Sequence, residues 1–481
     1  MSNAKRDVTR ISHNTKIVAT LGPGSNNVQL LEDMIRVGGL NVVRFNFSHG
    51  TPEFHQENAR IVREAAKRAG QEIAILADLQ GPKIRVGKIA GGSIELNKGE
   101  TLVLDAALEG EGTRDAVGLD YRDLPNDVVA GDVLWLDDGL LTLTVESVEG
   151  SKIVTKVENS HVLKSNKGIN KRGGGLSAGA LTEKDFRDLK TAIAIGCDYL
   201  AISFVKSAED LHTARAKVEE EMKGSTAVRP GLVSKIERVE AIENLDEIIL
   251  ASDGIMVARG DLAVEVGHAA VPALQKRMIR RARELRRFSI TATQMMESMI
   301  TNPVPTRAEV SDVANAVLDG TDAVMCSAET AVGAYPFETV SQMAIICAAA
   351  ENEQVEYPEA VSTNLAIAGG AVSVARAVHA KAIVALTESG STAFEVSRHN
   401  ITLPIFALTP SISAQRRMAM YRGVRPLILA TSTDHDTALN EVEAMLVEHK
   451  ILSSGDQYII TSGSQMRESG STNTLEVLRV K

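Results

Sequence analysis

The chain has 481 residues, of which 44% are hydrophobic and 24% are charged, and its formal net charge at pH 7 is −10. This length exceeds what one hydrophobic core supports, so we expect two to four domains. The acidic balance argues against a nucleic-acid or membrane-surface partner, and no apolar run reaches the roughly 18 residues of a membrane span.

Eight short apolar segments that end in polar residues recur along the chain. They span residues 16–22, 41–50, 73–81, 198–205, 232–237, 254–261, 289–294 and 322–330. Most of them start about 20–35 residues apart, which suits a strand, a crossover helix and two loops. The stretch from Thr306 to Gly320, with Glu309 as the partner in a capping box, is typical of such a helix. The series predicts an α/β protein with a (β/α)8 TIM barrel built from residues 1–82 and 179–349.

The spacing changes between the third and fourth segments. There, alternating β-branched residues are separated by Gly, Asn and Asp turns, so we predict that residues 83–178 form an inserted small β-barrel-like domain. An insertion joined by two adjacent connections can act as a hinged lid. Beyond the barrel, four more apolar strands separated by helical stretches predict a C-terminal open parallel α/β domain over residues 350–481.

The loop TESGST (387–392) follows the first strand of this tail and leads into a helix. That arrangement can present backbone amides to a phosphate, although an ordinary capped helix explains the same residues. A second loop of similar composition lies within residues 461–478. The three cysteines lie in apolar runs without a zinc-type spacing, and the first residues lack a signal-peptide pattern, so we expect a cytoplasmic protein with buried free thiols.

Active sites of (β/α)8 barrels lie at the carboxyl ends of the strands. The polar residues at the predicted strand ends are Thr20, Arg44, Asn46, Asp78, Ser203, Lys235, Glu237, Asp261, Thr293 and Ser327. Lys235 and Glu237 point to one side of their strand, and an exposed ion pair would explain them. If Asp261 is a neighbour, however, the two carboxylates suit Mg²⁺ better than zinc, and Lys235 with Arg44 completes a clamp for a phosphoryl group.

Long motifs occur in this chain in a recognisable order. They are NFSHG (46–50), LQGPKIR (79–85), SKIE (234–237), MVARGDL (256–262), TATQMMESM (291–299), PTRAEVSDVANAVLDGTDAVM (305–325) and SAET (327–330). With them the chain closely resembles pyruvate kinase over nearly its whole length, and the bacterial members in particular. The resemblance implies transfer of the phosphoryl group of phosphoenolpyruvate to ADP, which gives pyruvate and ATP in the last step of glycolysis. It also implies a need for Mg²⁺, for which Mn²⁺ can substitute.

The resemblance implies a role for each matching residue. Glu237 and Asp261 are the expected Mg²⁺ ligands, and Lys235 is expected to stabilise the phosphoryl group in flight. The residues expected to bind phosphoenolpyruvate are Arg44, Lys235, Gly260, Asp261 and Thr293, of which Arg44, Lys235 and Thr293 also count as catalytic. The residues expected to bind the nucleotide phosphates are Asn46, Phe47, Ser48, His49, Arg85 and Lys167.

One departure from the family pattern concerns a monovalent cation. Many members have Glu where this chain has Lys83, and they need K⁺. We expect the Lys83 ammonium to substitute for that ion, so that activity does not require K⁺. Asn46, Ser48 and Asp78 then form the remnant of a cation site.

The tail resembles the effector domain of the family, whose members assemble as homotetramers and bind sugar phosphates or AMP there. The candidate effector residues are Thr387, Ser389, Gly390, Ser391, Thr392 and Arg398, and allosteric activation is expected. Two alternatives remain open, a Mg²⁺-dependent lyase acting on pyruvate or oxaloacetate and a non-enzymatic phosphometabolite sensor. Arg85 and Lys167 argue against the lyase, because a lyase needs no nucleotide clamp. The complete set at the barrel mouth argues against the sensor.

Overall fold

The computed structural model describes residues 12–137, 139–352, 356, 361–429, 435–463 and 472–481. Eight parallel strands close into a barrel in which each strand pairs with its neighbours in chain order, and the last pairs with the first. These strands are β1 (Lys16–Thr20), β2 (Val42–Asn46), β3 (Ala74–Asp78), β4 (Tyr199–Ile202), β5 (Gly231–Ile236), β6 (Gly254–Ala258), β7 (Phe288–Ala292) and β8 (Ala323–Cys326). The predicted (β/α)8 barrel is confirmed, and each strand lies within or next to its predicted segment.

Helices form the crossovers between the barrel strands. They are Val28–Asp33, continued by a π-helical turn at Met34–Gly38, Pro52–Ala69, Glu183–Ala194, Ala208–Glu221, Val239–Glu243, Leu245–Ala251, Arg259–Val266, Val271–Glu284, Arg307–Leu318, Ala328–Ala331 and Pro336–Ala350, with 3₁₀ turns at His268–Ala270 and Glu297–Ile300. The predicted capping box is present, because Thr306 Oγ1 accepts the N–H of Glu309 while the Glu309 carboxylate accepts the N–H of Thr306 at 2.7 Å. These two bonds satisfy donors that a helix start otherwise leaves unpaired.

The core of the barrel has two layers because side chains alternate along a strand. On β5, Leu232 and Ile236 belong to the layer between strands and helices, whereas Val233 belongs to the barrel interior. Lys235 lies two residues after Val233, so its side chain faces the interior at the carboxyl end of the strand. The same alternation brings Glu237, just beyond β5, to that mouth.

The segment between β3 and β4 forms its own β-rich unit with a separate hydrophobic core. Six strands make one sheet, namely Thr101–Asp105, Ala116–Gly118, Val133–Leu136, Leu141–Glu149, Lys152–Val157 and Ile169–Lys171. Two more, Ser93–Leu96 and His161–Lys164, form an antiparallel pair, and helical turns occupy Ala90–Gly92 and Leu124–Asp127. The insertion is therefore β-rich as predicted, while its limits at 83 and 178 stay a prediction.

The C-terminal sheet has five strands rather than four. Ile383–Leu386, Ile405–Thr409, Val424–Ile428 and Gln457–Gly463 are parallel, as predicted, and the helices Thr363–Ala377, Ser391–Ser397, Ile412–Met418 and His435–Glu448 flank them. The fifth strand, Thr472–Arg479, is not among the four predicted strands and pairs antiparallel with Gln457–Gly463. After the buried Thr472, the residues of this strand are exposed or half-buried, as an edge position allows.

Two sequence-based expectations extend beyond the described residues. Part of the second candidate loop, residues 464–471, lies outside them, as do residues 1–11 of the barrel segment. Among the helices that the structure describes, none combines the length with the apolar character needed to cross a bilayer.

Candidate active site

Lys235 lies at the centre of a buried charge cluster at the barrel mouth. Its Nζ is 3.0 Å from Glu237 Oε1 and 3.3 Å from Asp78 Oδ1, and it donates a 2.7 Å hydrogen bond to Ser203 Oγ. The side chains of Glu237 and Asp78 are only 1% and 2% exposed. The pair is therefore not an exposed ion pair at a sheet end, and removing any one charge would leave others buried without compensation.

Burial and charge act in opposite directions on these groups. Burial disfavours the ammonium of Lys235, but Asp78 and Glu237 raise its pKa above the ordinary value. Burial also disfavours the Asp78 carboxylate, yet Lys235 and Arg44 hold its pKa below the usual range. Burial raises the pKa of Glu237 despite the opposing effect of Lys235. Glu237 is thus the least stabilised carboxylate of the cluster, and an added cation would stabilise it.

Arg44 enters the same cluster from β2. Its Nε donates to Asp78 Oδ2 at 2.6 Å, and its Nη1 donates to Thr20 Oγ1 at 3.0 Å. Asp78 therefore links Arg44 with Lys235, so that one carboxylate at the end of β3 holds two cations, one from the neighbouring strand β2 and one from β5. From the sequence, Asp78 was expected among the strand-end residues and in a cation-site remnant, but not in this linking position.

The two carboxylates expected to bind Mg²⁺ each contact a lysine. Glu237 pairs with Lys235, and Asp261 Oδ1 lies 3.1 Å from the Nζ of Lys83. Among the described residues, no three His, Cys, Asp or Glu side chains gather into a metal-binding group. Two carboxylate ligands without imidazole or thiolate nevertheless fit Mg²⁺, which takes the rest of its ligands from water and substrate. The donor chemistry therefore fits the metal that the resemblance implies.

Gly260, Asp261 and Thr293 meet where the helix Arg259–Val266 begins. The N–H of Gly260 donates to Thr293 Oγ1 at 2.9 Å, and the Thr293 hydroxyl donates to the carbonyl of Ala292 at 2.6 Å. Thr293 has a φ of +71°, which is strained for a β-branched residue. Such strain is typical of residues held in place for a ligand.

Arg259 stabilises this strained segment through its backbone carbonyls. The sequence did not predict this role. Its guanidinium donates to the carbonyls of Ala292 and Thr293 at 3.2 and 2.7 Å and pairs with Asp312 at 2.7 Å. Arg259 precedes Gly260 in the motif MVARGDL, but a motif does not reveal which carbonyls an arginine will contact.

The residues expected to bind the nucleotide lie on two different parts of the fold. The loop Asn46–His49 starts at the last residue of β2, whereas Arg85 and Lys167 lie on the insertion, where Arg85 bridges to Gly168. Arg85 Nη1 donates to the carbonyl of Asn166 at 3.1 Å, which places it beside Lys167. The structure therefore joins Arg85 with Lys167 and leaves the loop after β2 as a separate barrel element.

Lys167 is held by a carboxylate that the sequence analysis missed. Its Nζ lies 2.6 Å from Asp137 Oδ1, while the other oxygen of Asp137 lies 2.9 Å from His161 Nε2. Asp137 has a left-handed φ of +53°, and its N–H donates to the carbonyl of Gly168. The sequence signal was a turn in LDDG, which does not distinguish a turn residue from an ion-pair partner.

The candidate effector residues divide into two groups. Ser389 and Ser391 line a solvent-open cleft of about 650 Å³ with Arg286, Arg287, Arg417 and Tyr421. Thr387 Oγ1 accepts the N–H of Gly390, Thr392 bonds Thr472, and Arg398 is buried in an ion pair with Asp322. The side chain of Arg398 therefore serves the contact between the tail and the barrel rather than the cleft.

Comparison with known proteins supplies the family. Residues 12–340 match the family described as "Pyruvate kinase, barrel domain", and residues 365–478 match "Pyruvate kinase, alpha/beta domain". The chain belongs to the pyruvate kinase family. It is accordingly a phosphotransferase that moves the phosphoryl group of phosphoenolpyruvate to ADP, which confirms the predicted kinase over the lyase and the sensor. The family uses phosphoenolpyruvate and ADP as substrates and in general depends on a divalent metal ion.

Relatives of the family match the whole chain. Pyruvate kinase II of Salmonella typhimurium is 50% identical over 98% of this chain and 100% of its own length. The pyruvate kinase of Haemophilus influenzae is 48% identical over 97% of this chain and 98% of its own length. The crystal structure of a pyruvate kinase from Cryptosporidium parvum superposes with a TM-score of 0.91 at 36% identity, covering 98% of this chain and 96% of that one.

Proposed function

We propose that the charge cluster around Lys235 is the phosphoryl-transfer centre of this enzyme. The observation that carries the proposal is the Lys235 ammonium, held between the buried carboxylates of Asp78 and Glu237 and facing the barrel interior. A preorganised ammonium that pays no reorganisation cost stabilises the charge on a phosphoryl group in flight. Arg44, fixed by Asp78 and Thr20, supplies a second cation for the phosphate of phosphoenolpyruvate.

We also propose that Glu237 and Asp261 hold Mg²⁺, with Mn²⁺ as a substitute. When bound, the metal neutralises the negative charge that builds up on substrate oxygens. Lys235 and Lys83 already reduce the repulsion between the two acids, because each ammonium contacts one of them. The N–H groups of Gly260 and Asp261, with the Thr293 hydroxyl, receive the carboxylate of phosphoenolpyruvate. Loss of the phosphoryl group leaves an enolate, and the Thr293 hydroxyl is proposed to help deliver a proton to its carbon.

The ADP phosphates are proposed to bind between the loop Asn46–His49 on the barrel and Arg85 with Lys167 on the insertion. Closure of the insertion would bring these cations to the anion and exclude water from the reaction. The ion pair between Lys167 and Asp137 keeps the lysine ordered before ADP arrives.

We propose that K⁺ is not required, because Lys83 supplies a fixed positive charge beside Asp261. Asn46 and Ser48 are then a remnant of a cation site, since Asn46 Oδ1 accepts the N–H of Ser48 at 3.1 Å. Asp78 is no longer free for such an ion, because it pairs with Arg44 and Lys235.

Regulation is proposed to act through the cleft beside Ser389 and Ser391. Three arginines and three aromatic rings line it together with Asp253 and Glu395. The arginines suit a phosphorylated ligand such as AMP or a sugar phosphate. We also propose that the protein assembles as a homotetramer in the cytoplasm. Its domain boundaries are proposed to lie after residues 82, 178 and 349. The buried thiols of Cys197, Cys326 and Cys347, whose pKa values burial raises, suit a reducing compartment.

One coupled assay of pyruvate formation tests the reaction. We expect pyruvate from phosphoenolpyruvate only when ADP and Mg²⁺ are both present. Formation of pyruvate from oxaloacetate without ADP would instead support a lyase.

A Mn²⁺ titration of wild type and Glu237→Gln tests the metal ligands without relying on turnover. The electron paramagnetic resonance signal of free Mn²⁺ reports how much metal stays unbound. Equal affinity in both proteins would remove Glu237 from the metal site.

A further inference from the structure

The imidazole of His55 contacts both Phe47 and His49 of the loop Asn46–His49. It belongs to the first turns of the helix Pro52–Ala69 and is only 3% exposed. Its ring stacks on Phe47 with the centroids 4.0 Å apart and the planes 18° apart, and Phe54 meets it edge-on at 5.6 Å. The contact with Phe47 thus packs the histidine against the loop, while Phe54 holds the ring from its own helix.

A hydrogen bond ties the same ring to the end of the loop. His55 Nε2 lies 3.0 Å from the carbonyl oxygen of His49, which can only accept, so Nε2 carries the proton. The other nitrogen, Nδ1, is buried and has no hydrogen-bond partner among the residues that the structure describes. Burial lowers the pKa of His55, with the nearby Lys184 adding to that effect against the His49 carbonyl and Asp188. The ring is therefore a neutral donor in one fixed tautomer.

The rest of the loop is tied to the catalytic cluster. The N–H of Phe47 donates to the carbonyl of Asp78 at 2.9 Å, and Lys184 Nζ donates to the carbonyl of Phe47 at 2.6 Å. The N–H and the carbonyl of Phe47 are thus both hydrogen-bonded. The N–H bonds to Asp78, whose carboxylate holds Lys235. A shift of Phe47 would displace the loop relative to the phosphoryl-transfer centre.

The turn between loop and helix leaves no room for adjustment. Gly50 has a φ of +86°, and a Cβ there would lie 2.6 Å from Phe54 Cδ1 and 3.3 Å from His55 Nε2. The chain therefore reverses tightly over the histidine ring, and the loop conformation depends on that ring as its support.

We propose that His55 is a positioning residue for the ADP phosphates, acting through the Phe47 ring and the His49 carbonyl. The inference rests on the proposed nucleotide role of the loop Asn46–His49. His55 touches neither substrate, and it sets the geometry of the residues that receive ADP. A buried core histidine with no functional consequence is the competing explanation.

Two variants separate the contributions of the ring and of the donor. His55→Phe keeps an aromatic ring against Phe47 but leaves the His49 carbonyl without its donor, while His55→Gln keeps a donor without the ring. For His55→Phe we expect the KM for ADP to rise about fivefold, with kcat and the KM for phosphoenolpyruvate changed less than about twofold. His55→Gln is expected to recover part of this loss, because its amide can reach the same carbonyl.

Val62→Ala provides the matched control, because Val62 is fully buried on the same helix. It should lower Tm while leaving the ratio of the two KM values unchanged. If His55→Phe and His55→Gln both lower Tm as Val62→Ala does without raising the KM for ADP, His55 is a core residue and the proposal is overturned. Lys167→Ala tests the proposed nucleotide site independently of His55. If that variant leaves the KM for ADP unchanged, the proposed nucleotide site fails, whereas the His55 variants still report on the loop.

Discussion

The Lys83 ammonium lies 3.1 Å from a carboxylate oxygen of Asp261. The two residues are 178 positions apart in the chain, and they join the connection that enters the insertion with the first turn of a barrel helix. Their side chains are 26% and 23% exposed, so the pair contributes roughly 0–1 kcal/mol and can open at little cost. A positive charge thus lies beside a proposed metal ligand, in a pair that can open when the metal binds.

Replacing Lys83 by Glu should make the enzyme depend on K⁺. The substitution removes the fixed charge and adds a carboxylate near Asp261, and a monovalent cation would then have to compensate for both. Steady-state rates in K⁺, Na⁺ and tetramethylammonium measure the effect. Wild type should be equally active in all three. Lys88→Glu, an exposed charge reversal on the insertion, is the control and should remain K⁺-independent. A strong K⁺ requirement in wild type would contradict the proposed role of Lys83.

Replacing Lys235 by Met should lower kcat by about 10²–10³-fold or more, because one preorganised charge contact to the transferring group is lost. The free energy of unfolding should also fall by about 3–5 kcal/mol, since Asp78 and Glu237 lose a shared buried partner. Denaturant titration and the coupled assay measure the two effects separately. Lys235→Arg keeps the charge on a larger, planar group and should retain stability better than activity. An unchanged kcat in Lys235→Met would remove the lysine from the reaction.

Thr293 offers a matched pair of variants. Thr293→Val keeps the shape but loses the hydroxyl, so the KM for phosphoenolpyruvate should rise about 10–100-fold with the loss of a hydrogen bond to a carboxylate. Thr293→Ser keeps the hydroxyl that accepts from Gly260 and should stay within a few fold of wild type. The KM for ADP should move in neither variant. Equal effects of Val and Ser would show that the branched methyl group, not the hydroxyl, matters.

Asp137 is expected to order Lys167 rather than to bind substrate. The Lys167 side chain is 38% exposed, so its ion pair contributes at most about 1 kcal/mol, and Asp137→Asn should raise the KM for ADP by no more than about fivefold. Asp105→Asn is the control, because Asp105 caps a turn elsewhere on the insertion. A loss of all activity in Asp137→Asn would instead place Asp137 in direct contact with the reacting groups.

Glu265 should make stability depend on pH. It is buried between the barrel and the insertion, and burial raises its pKa to about 7 from 4.5. Between these values the folded protein binds more protons than the unfolded chain, so the stabilising neutral form is lost as pH rises. The full shift corresponds to about 3 kcal/mol.

The variant Glu265→Gln removes this titration and keeps an acceptor for the N–H of Val239. Its stability relative to wild type should therefore be greater at pH 8 than at pH 5, as measured by denaturant titration at both values. A difference of the opposite sign, or none, would show that Glu265 is charged in the folded protein.

The barrel could be predicted from the sequence because its signals are local. Each strand is a short apolar run with a polar end, and the capping box of Thr306 and Glu309 marks a helix start within four residues. The alternation of side chains also placed Lys235 and Glu237 on one side of β5 without knowledge of any other strand. Motif resemblance then supplied roles for these residues.

Only the tertiary structure determined which groups meet. The partners of Asp78, Lys167 and Arg398 are 157, 30 and 76 residues away, and no local pattern specifies such distances. Arg398 illustrates this limit. It lies close to the candidate effector loop in the sequence, but in the folded protein its guanidinium forms a buried ion pair with Asp322. Local periodicity follows from backbone geometry, which each short segment carries within itself. The charge environment follows from closure of the barrel, which brings distant strand ends into one desolvated space.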